Sequence, residues 1–352
     1  MRTGSGAEGE PRAPAGPGRG VAAGARGLLL LLVIAACRPA AAPESRRQTR
    51  LLMGTYVTIT AIGPAAVTGP AIAAAFARLE DINRRFNFRD SAGPLHAFNF
   101  RDQPFVDPEV ARVVRTAVAV SAATGGAFDI TAQPLVALWG FHSGRPAVPA
   151  PAALDSARAL TGWRNITGTG DTVAKAVPGL RLDFGGIAKG YALAEAARVL
   201  RSAGVQSALV DAGGDIYAVG RKNGGAWRIG VRNPRGGGIV AVIPAADMAV
   251  VTSGDYERAF TSADGTTYCH IIDPRTGRPA RGLAAVTVVA ADPTLADAWA
   301  TALFVLGPDA IELVEATDGI EALFVTPDLE MTGSTGLAAI IELPEPGDST
   351  GR

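Results

Sequence analysis

Residues 182–204, LDFGGIAKGYALAEAARVLRSAG, restrict the fold of this chain more than any other stretch. Asp183, flanked by apolar residues, is followed by a break at Gly185 and Gly186. Ile187, Ala188, Tyr191, Ala194, Ala197 and Leu200 then recur near the helical period until Gly204 stops them. A strand end, a glycine pair and a helix start make a place for an anion. The first helical N–H groups lack partners, the dipole end is positive, and glycine lets a phosphate approach the backbone. Lys189 falls in the first turn, where a cation suits the dipole poorly, so it can face a ligand. A plain strand–turn–helix connection with a solvated Lys189 fits the same letters.

The 352 residues suffice for one large or two ordinary cores. Formal charge is balanced. Residues 1–36 carry four Arg and two Glu, leaving 29 basic and 31 acidic residues beyond them. Without a basic excess, a nucleic-acid or anionic-membrane surface is not expected. Residues 27–36 (GLLLLLVIAA) are short for a bilayer span and right for a signal h-region, with Arg26 as its positive flank. The stretch before Arg26 is long for an n-region, so translation is expected to start downstream, with Val21 a candidate. Ile34-Ala35-Ala36-Cys37 resembles a bacterial lipobox, in which Cys37 is lipidated after cleavage. An ordinary secretory cut near Ala36 is the alternative. The expected division is signal peptide 1–36, polar tether 37–50, folded domain 51–343 and disordered tail 344–352.

Alternation from Leu51 reads as a strand, and residues 68–85 as an amphipathic helix carrying Ile72, Phe76, Leu79 and Ile82. Residues 86–105 read as an aromatic-rich loop, and 107–124 as a second helix ended by Gly125 and Gly126. In 127–141 (AFDITAQPLVALWGF), Trp139 and Phe141 either stack on an aromatic ligand or fill the core. Residues 207–220 read as strand, glycine turn, strand. Further strands are expected at 227–232, 239–244 and 283–291, a helix at 295–306, and a last strand pair at 321–325 and 338–343. Helices do not alternate with strands, so an α+β fold with mixed or antiparallel sheets and flanking helices is expected.

Asp297 and Thr301, four apart on the late helix, project from one otherwise apolar face. A carboxylate there needs a partner, and one charged plus one neutral oxygen suits Mg²⁺ better than zinc; a local helix-start pairing also fits. His270 can accept a proton near neutral pH or sit as a satisfied core histidine. Cys269 beside it is discounted as a nucleophile, since nothing local lowers its pKa.

Taken together, MGTYVTI, FDITAQPLVALWGF, LDFGGIAKGYAL, ALVDAGGDIYAVG, VTSGDYERAF, YCHIIDPRTGRP and TVVAADPTLADAWATALFVLG resemble the ApbE-type flavin transferases, over residues 51–343. The resemblance implies a T-fold-like α+β architecture with an FAD cleft between two lobes. It implies Mg²⁺-dependent transfer of FMN from FAD to a threonine or serine hydroxyl of an acceptor protein, with release of AMP. Residue by residue, it places the metal at Gly186, Asp297 and Thr301, and FAD against Met53, Phe88, Ala127, Phe128, Asp129, Asp183, Lys189 and Ile271. It makes His270 the base, with Asp273 as its neighbour. At Phe88, where many members carry Tyr, only stacking remains. The implied partners are FAD, a redox-pump or electron-transfer subunit and, through a lipid on Cys37, a bacterial membrane facing the periplasm. A Mg²⁺-dependent FAD pyrophosphatase and a non-catalytic FAD-binding lipoprotein are the alternatives.

Overall fold

The computed structural model describes residues 44–344. The signal segment, Cys37, the start of the tether and residues 345–352 lie outside the described residues. The frame is one eight-stranded sheet whose strands neighbour each other in chain order: β1 (Glu44–Leu52), β2 (Thr55–Gly63), β3 (Ser207–Ala212), β4 (Asp215–Val219), β5 (Met248–Gly254), β6 (Ala285–Ala290), β7 (Ile320–Val325) and β8 (Met331–Gly333). Every neighbouring pair is antiparallel. Long insertions leave the order intact. The stretch between β2 and β3 holds α1 (Ala65–Phe86), α2 (Pro94–Arg101), α3 (Pro108–Ala123), α4 (Gln133–Leu138), α5 (Pro151–Ala159) and α6 (Ala188–Ser202); α7 (Pro293–Leu306) lies between β6 and β7.

Strand alternation divides the core in two. In β6, buried along its whole length, Val286, Val288 and Ala290 join the cluster built with α1, α3, α6 and α7. Ala285 and Val289 join a second cluster under the hairpin Trp227–Arg232/Ile239–Ala245. A strand covered on both faces reads as continuously apolar, which AVTVVA is. α1 follows its periodicity, with Ile72, Phe76, Leu79 and Ile82 buried. α3 is N-capped by Asp107, whose Oδ1 accepts from the N–H groups of Glu109 and Val110.

Four expectations need correction. The tether was expected to run to residue 50, but Glu44–Leu52 is a strand. Its side chains alone do not announce one; the edge of β2 supplies the pairing, and Arg50 lies over Phe76 and bonds Glu80. The loop expected at 86–105 contains α2, whose apolar face (Leu95, Phe98) is interrupted by buried Asn99, and that polar residue hid the helical period. Residues 338–343 do not form a strand. Met331–Gly333 takes the edge of β7, Thr335–Ala338 turns helically, and only Glu342 bridges Val242. Finally, Asp183 does not end a strand: residues 176–187 are irregular.

Candidate active-site cleft

The cleft opens at one end of the sheet. The β1–β2 turn, the β3–β4 turn at Gly213 and the end of β5 meet the start of α6 and the inner face of α7 there. Its volume of about 680 Å³ falls within the range of small-molecule sites. Met53 and Gly54 form the two-residue turn, with φ of 54° and 74° and Leu52 paired to Thr55. Positive φ at both positions is the geometry a tight hairpin needs, and for Met53 it costs on the order of 1–3 kcal/mol. The turn holds the Met53 side chain at the cleft wall.

The approach to α6 is fixed from below. Asn99 clasps Leu182, donating from Nδ2 to its carbonyl and accepting its N–H at Oδ1, both at 2.8 Å. The next residue, Asp183, donates its N–H to Ile130 O at 2.7 Å. Asp183 Oδ1 accepts from Gly185 N at 2.8 Å, while Oδ2 lies 3.3 Å from His142 Nε2. A Cβ added at Gly186 would lie 2.8 Å from Thr301 Oγ1 and 3.2 Å from the Phe128 ring, so only glycine leaves that corner open.

α6 and α7 touch at the same corner. Asp297, 3% exposed, accepts the Gly190 N–H at Oδ2, 2.8 Å away. Lys189 Nζ is ion-paired to buried Asp215, whose other oxygen accepts from Thr252 N at 3.2 Å. Burial pushes the Asp297 carboxyl up to about 7, with the Lys189 charge opposing and Asp215 adding to the shift. A Cβ at Gly190 would overlap the Pro293 carbonyl oxygen and sit 2.7 Å from Asp297 Cβ. Gly190→Ala is therefore expected to part the two helices and cost about 1–3 kcal/mol. A urea-unfolding midpoint equal to that of the parent protein would contradict this contact.

The remaining wall holds Phe88, Ala127, Phe128, Asp129, His142 and Ile271. The Phe88 and His142 rings lie 5.4 Å apart. Asp129 reaches the wall, but its carboxylate is occupied internally: Oδ1 accepts from Thr131 N and Oγ1, and Oδ2 from Trp163 N. Its contribution to a ligand is shape rather than charge. Trp139 belongs to the core, with Nε1 donating to Gly277 O at 2.8 Å and its ring 5.1 Å from Tyr268.

His270 lines the cleft with its Nδ1 buried and without a hydrogen-bond partner. Burial, with Arg258 and Lys189 nearby, pushes its pKa down to about 4, so the ring is a neutral base at physiological pH. The expected pairing with Asp273 is not present. The Asp273 carboxylate is held by Arg275, from its backbone N and Nε at 2.9 Å and a terminal nitrogen at 3.0 Å, and it stabilises the turn that follows. A bidentate arginine two residues away outcompetes a histidine three residues back. Burial pushes the Cys269 thiol up to about 11, consistent with an inert side chain.

Gly186, Lys189, Asp297 and Thr301 thus meet in one cleft with Met53, Phe88, Ala127, Phe128, Asp129, Asp183, His270 and Ile271; Asp273 stays outside it. Sequence reasoning missed Asn99, His142 and Asp215. None stands in a spacing that marks it; Asp215, directly after the Gly213-Gly214 turn, is the most detectable of the three.

The oxygen set at the corner suits a hard divalent cation. It offers a buried carboxylate, a hydroxyl and a backbone kept accessible because residue 186 has no Cβ. Among the described residues no three His, Cys, Asp or Glu gather as a metal cluster, so a zinc-type nitrogen and sulfur cage is not what the corner offers.

A model of the ApbE family matches residues 53–324. The FAD:protein FMN transferase of Treponema pallidum (strain Nichols) is 34% identical over 333 residues, covering 88% of this chain and 92% of that protein. The FAD:protein FMN transferase of Vibrio cholerae serotype O1 is 36% identical over 256 residues, 70% of this chain and 76% of the relative. Among solved structures, the ApbE protein from Thermotoga maritima superposes with a TM-score of 0.79 at 34% identity, over 84% of this chain and 99% of that one. The flavin transferase ApbE from Vibrio cholerae gives 0.75 at 31%, over 85% and 99%.

Proposed function

The chain belongs to the ApbE family, and from that premise we propose that its cleft binds FAD as substrate and passes the FMN half to a hydroxyl of an acceptor protein, releasing AMP. One observation carries the reading. Two segments more than a hundred residues apart bring Gly186, Asp297 and Thr301 to one corner of a cleft that also holds Lys189 and a neutral His270.

The acceptor is a threonine or serine. Its oxygen bonds to the FMN-side phosphorus as the bond from that phosphorus to the AMP oxygen breaks. His270, neutral and on the cleft wall, takes the proton that the hydroxyl gives up. Lys189, fixed by Asp215, supplies positive charge beside the diphosphate. The first N–H groups of α6 are engaged within the protein instead, those of Ala188, Gly190 and Tyr191 donating to Phe184 O, Asp297 Oδ2 and Ile187 O. Apolar Met53, Phe88, Phe128 and Ile271 cover the flavin and exclude water from the reacting centre. Asp297, Thr301 and the Gly186 carbonyl would hold Mg²⁺, which would supply positive charge for the phosphate oxygens.

Upstream, the lipobox reading of Cys37 supports an exported protein anchored by lipid to a bacterial membrane, facing the periplasm and working on a membrane redox subunit. The same cleft with water in place of the hydroxyl is an FAD pyrophosphatase. Incubating the purified protein with FAD, Mg²⁺ and a candidate acceptor separates the readings. A covalent gain of one FMN on the acceptor, with AMP released, is expected. Free FMN and AMP with an unlabelled acceptor would mark a hydrolase, and unchanged FAD a non-catalytic flavin binder.

A further inference from the structure

The segment VTSGDYERAF leads from β5 into the hairpin Ala259–Thr261/Thr267–Cys269. Its register pairs Ala259 with Cys269, and the next rung brings Arg258 opposite His270, whose backbone N–H donates to Arg258 O at 2.9 Å. Residues opposite each other in an antiparallel pair project to the same face. Both side chains accordingly line the cleft. The guanidinium reaches across to the β1–β2 turn, where one of its terminal nitrogens lies 3.7 Å from the position of a Cβ on Gly54.

The other cleft cations have duties within the protein. Lys189 is paired with Asp215, and Arg89 donates to the His142 carbonyl and lies over Phe88. Arg258 is exposed and, among the described residues, takes part in none of the ion pairs that hold the other arginines. A planar fork of N–H donors, anchored on the rung that carries the base, suits the oxygens of a phosphoryl group under attack. We propose that Arg258 contacts the non-bridging oxygens of the substrate's diphosphate from the hairpin side of the cleft, as a catalytic residue alongside His270. The inference rests on the cleft being the FAD site. The same charge also helps keep His270 neutral, so one residue serves both the phosphoryl oxygens and the base.

Titrating the protein, without added metal, with FAD and separately with riboflavin, which has no phosphate, tests the contact by flavin fluorescence. Arg258→Met is expected to weaken FAD by about 10- to 100-fold, the worth of a charge-assisted contact, and to leave riboflavin within about twofold. Arg258→Lys, which keeps the charge and loses the fork, should recover part of the FAD affinity. FAD affinity unchanged in Arg258→Met, or FAD and riboflavin weakened in parallel, overturns the contact. If the unsubstituted protein binds riboflavin and FAD not at all, the reading of the cleft fails first and takes this inference with it.

Discussion

Replacing His270 with glutamine should slow flavin transfer by about 10²- to 10⁴-fold, the usual contribution of a general base, while FAD still binds. Glutamine keeps polarity and approximate size but cannot take a proton. The substitution should not unfold the protein, because the imidazole offers its surroundings little: its Nδ1 has no hydrogen-bond partner, and its nearest ring, Phe141, meets it edge-on at 6.5 Å. Rapid mixing with acceptor and FAD, followed by intact-mass analysis, gives the rate. A variant within about threefold of the parent would remove His270 from the proton path.

The pH profile adds a second check on the same residue. With the folded pKa near 4, the neutral base is present throughout the physiological range and is lost only as pH falls toward 4. His270 should therefore impose no acid limb on transfer between pH 6 and 8 (rough bounds set by an ordinary histidine pKa of about 6.5). The stability consequence has a definite sign. The unfolded chain protonates this histidine at a higher pH than the folded one does, so its contribution is complete above the ordinary histidine pKa and is lost as pH drops through the folded value.

Asp297→Asn should abolish metal-supported transfer, with a loss on the order of 10³-fold, because a metal's charge stabilisation is worth several kcal/mol. Its effect on stability should run the other way. In the metal-free protein a carboxylate buried at 3% exposure is pushed up to about 7. It therefore favours folding at low pH, and that advantage is lost as pH rises from the ordinary carboxylate range through the folded value. Asparagine retains the oxygen that accepts from Gly190 N–H and carries no charge. The metal-free variant should melt at the same temperature as the parent or higher at pH 8. Adding Mg²⁺ should then raise the parent's Tm, by the equivalent of about 2.7 kcal/mol at a hundredfold excess over Kd, and leave the variant's unchanged. An equal shift in both proteins would place the metal elsewhere.

Much of this fold is legible in the letters because the elements that matter are strongly patterned. The helices α1, α3, α6 and α7, the strands β3, β4 and β6, and the glycine break before α6 follow local rules of periodicity, capping and turn chemistry. The gaps in the reading have specific causes. β1 is a strand because β2 offers it an edge, and α2 is a helix whose apolar face is interrupted by Asn99, a residue needed to clasp Leu182. Residues 338–343 (AAIIEL) are apolar enough to read as a strand, yet Met331–Gly333 already occupies the edge they would need.

The candidate site divides in the same way. Asp183, Gly186, Lys189, His270, Asp297 and Thr301 could be named from motifs, since each sits in a segment whose local shape its neighbours dictate. Spacing could not show that Asp273 turns away to Arg275, that Asp129 is occupied by Thr131 and Trp163, or that Asp215 holds Lys189. It could not show that Arg258 shares a rung with His270. A side chain's residue type and local backbone are written in the chain near it. Which of several competing partners it takes depends on groups brought close by packing of segments distant in sequence, and only the assembled sheet with α6 against α7 decides that.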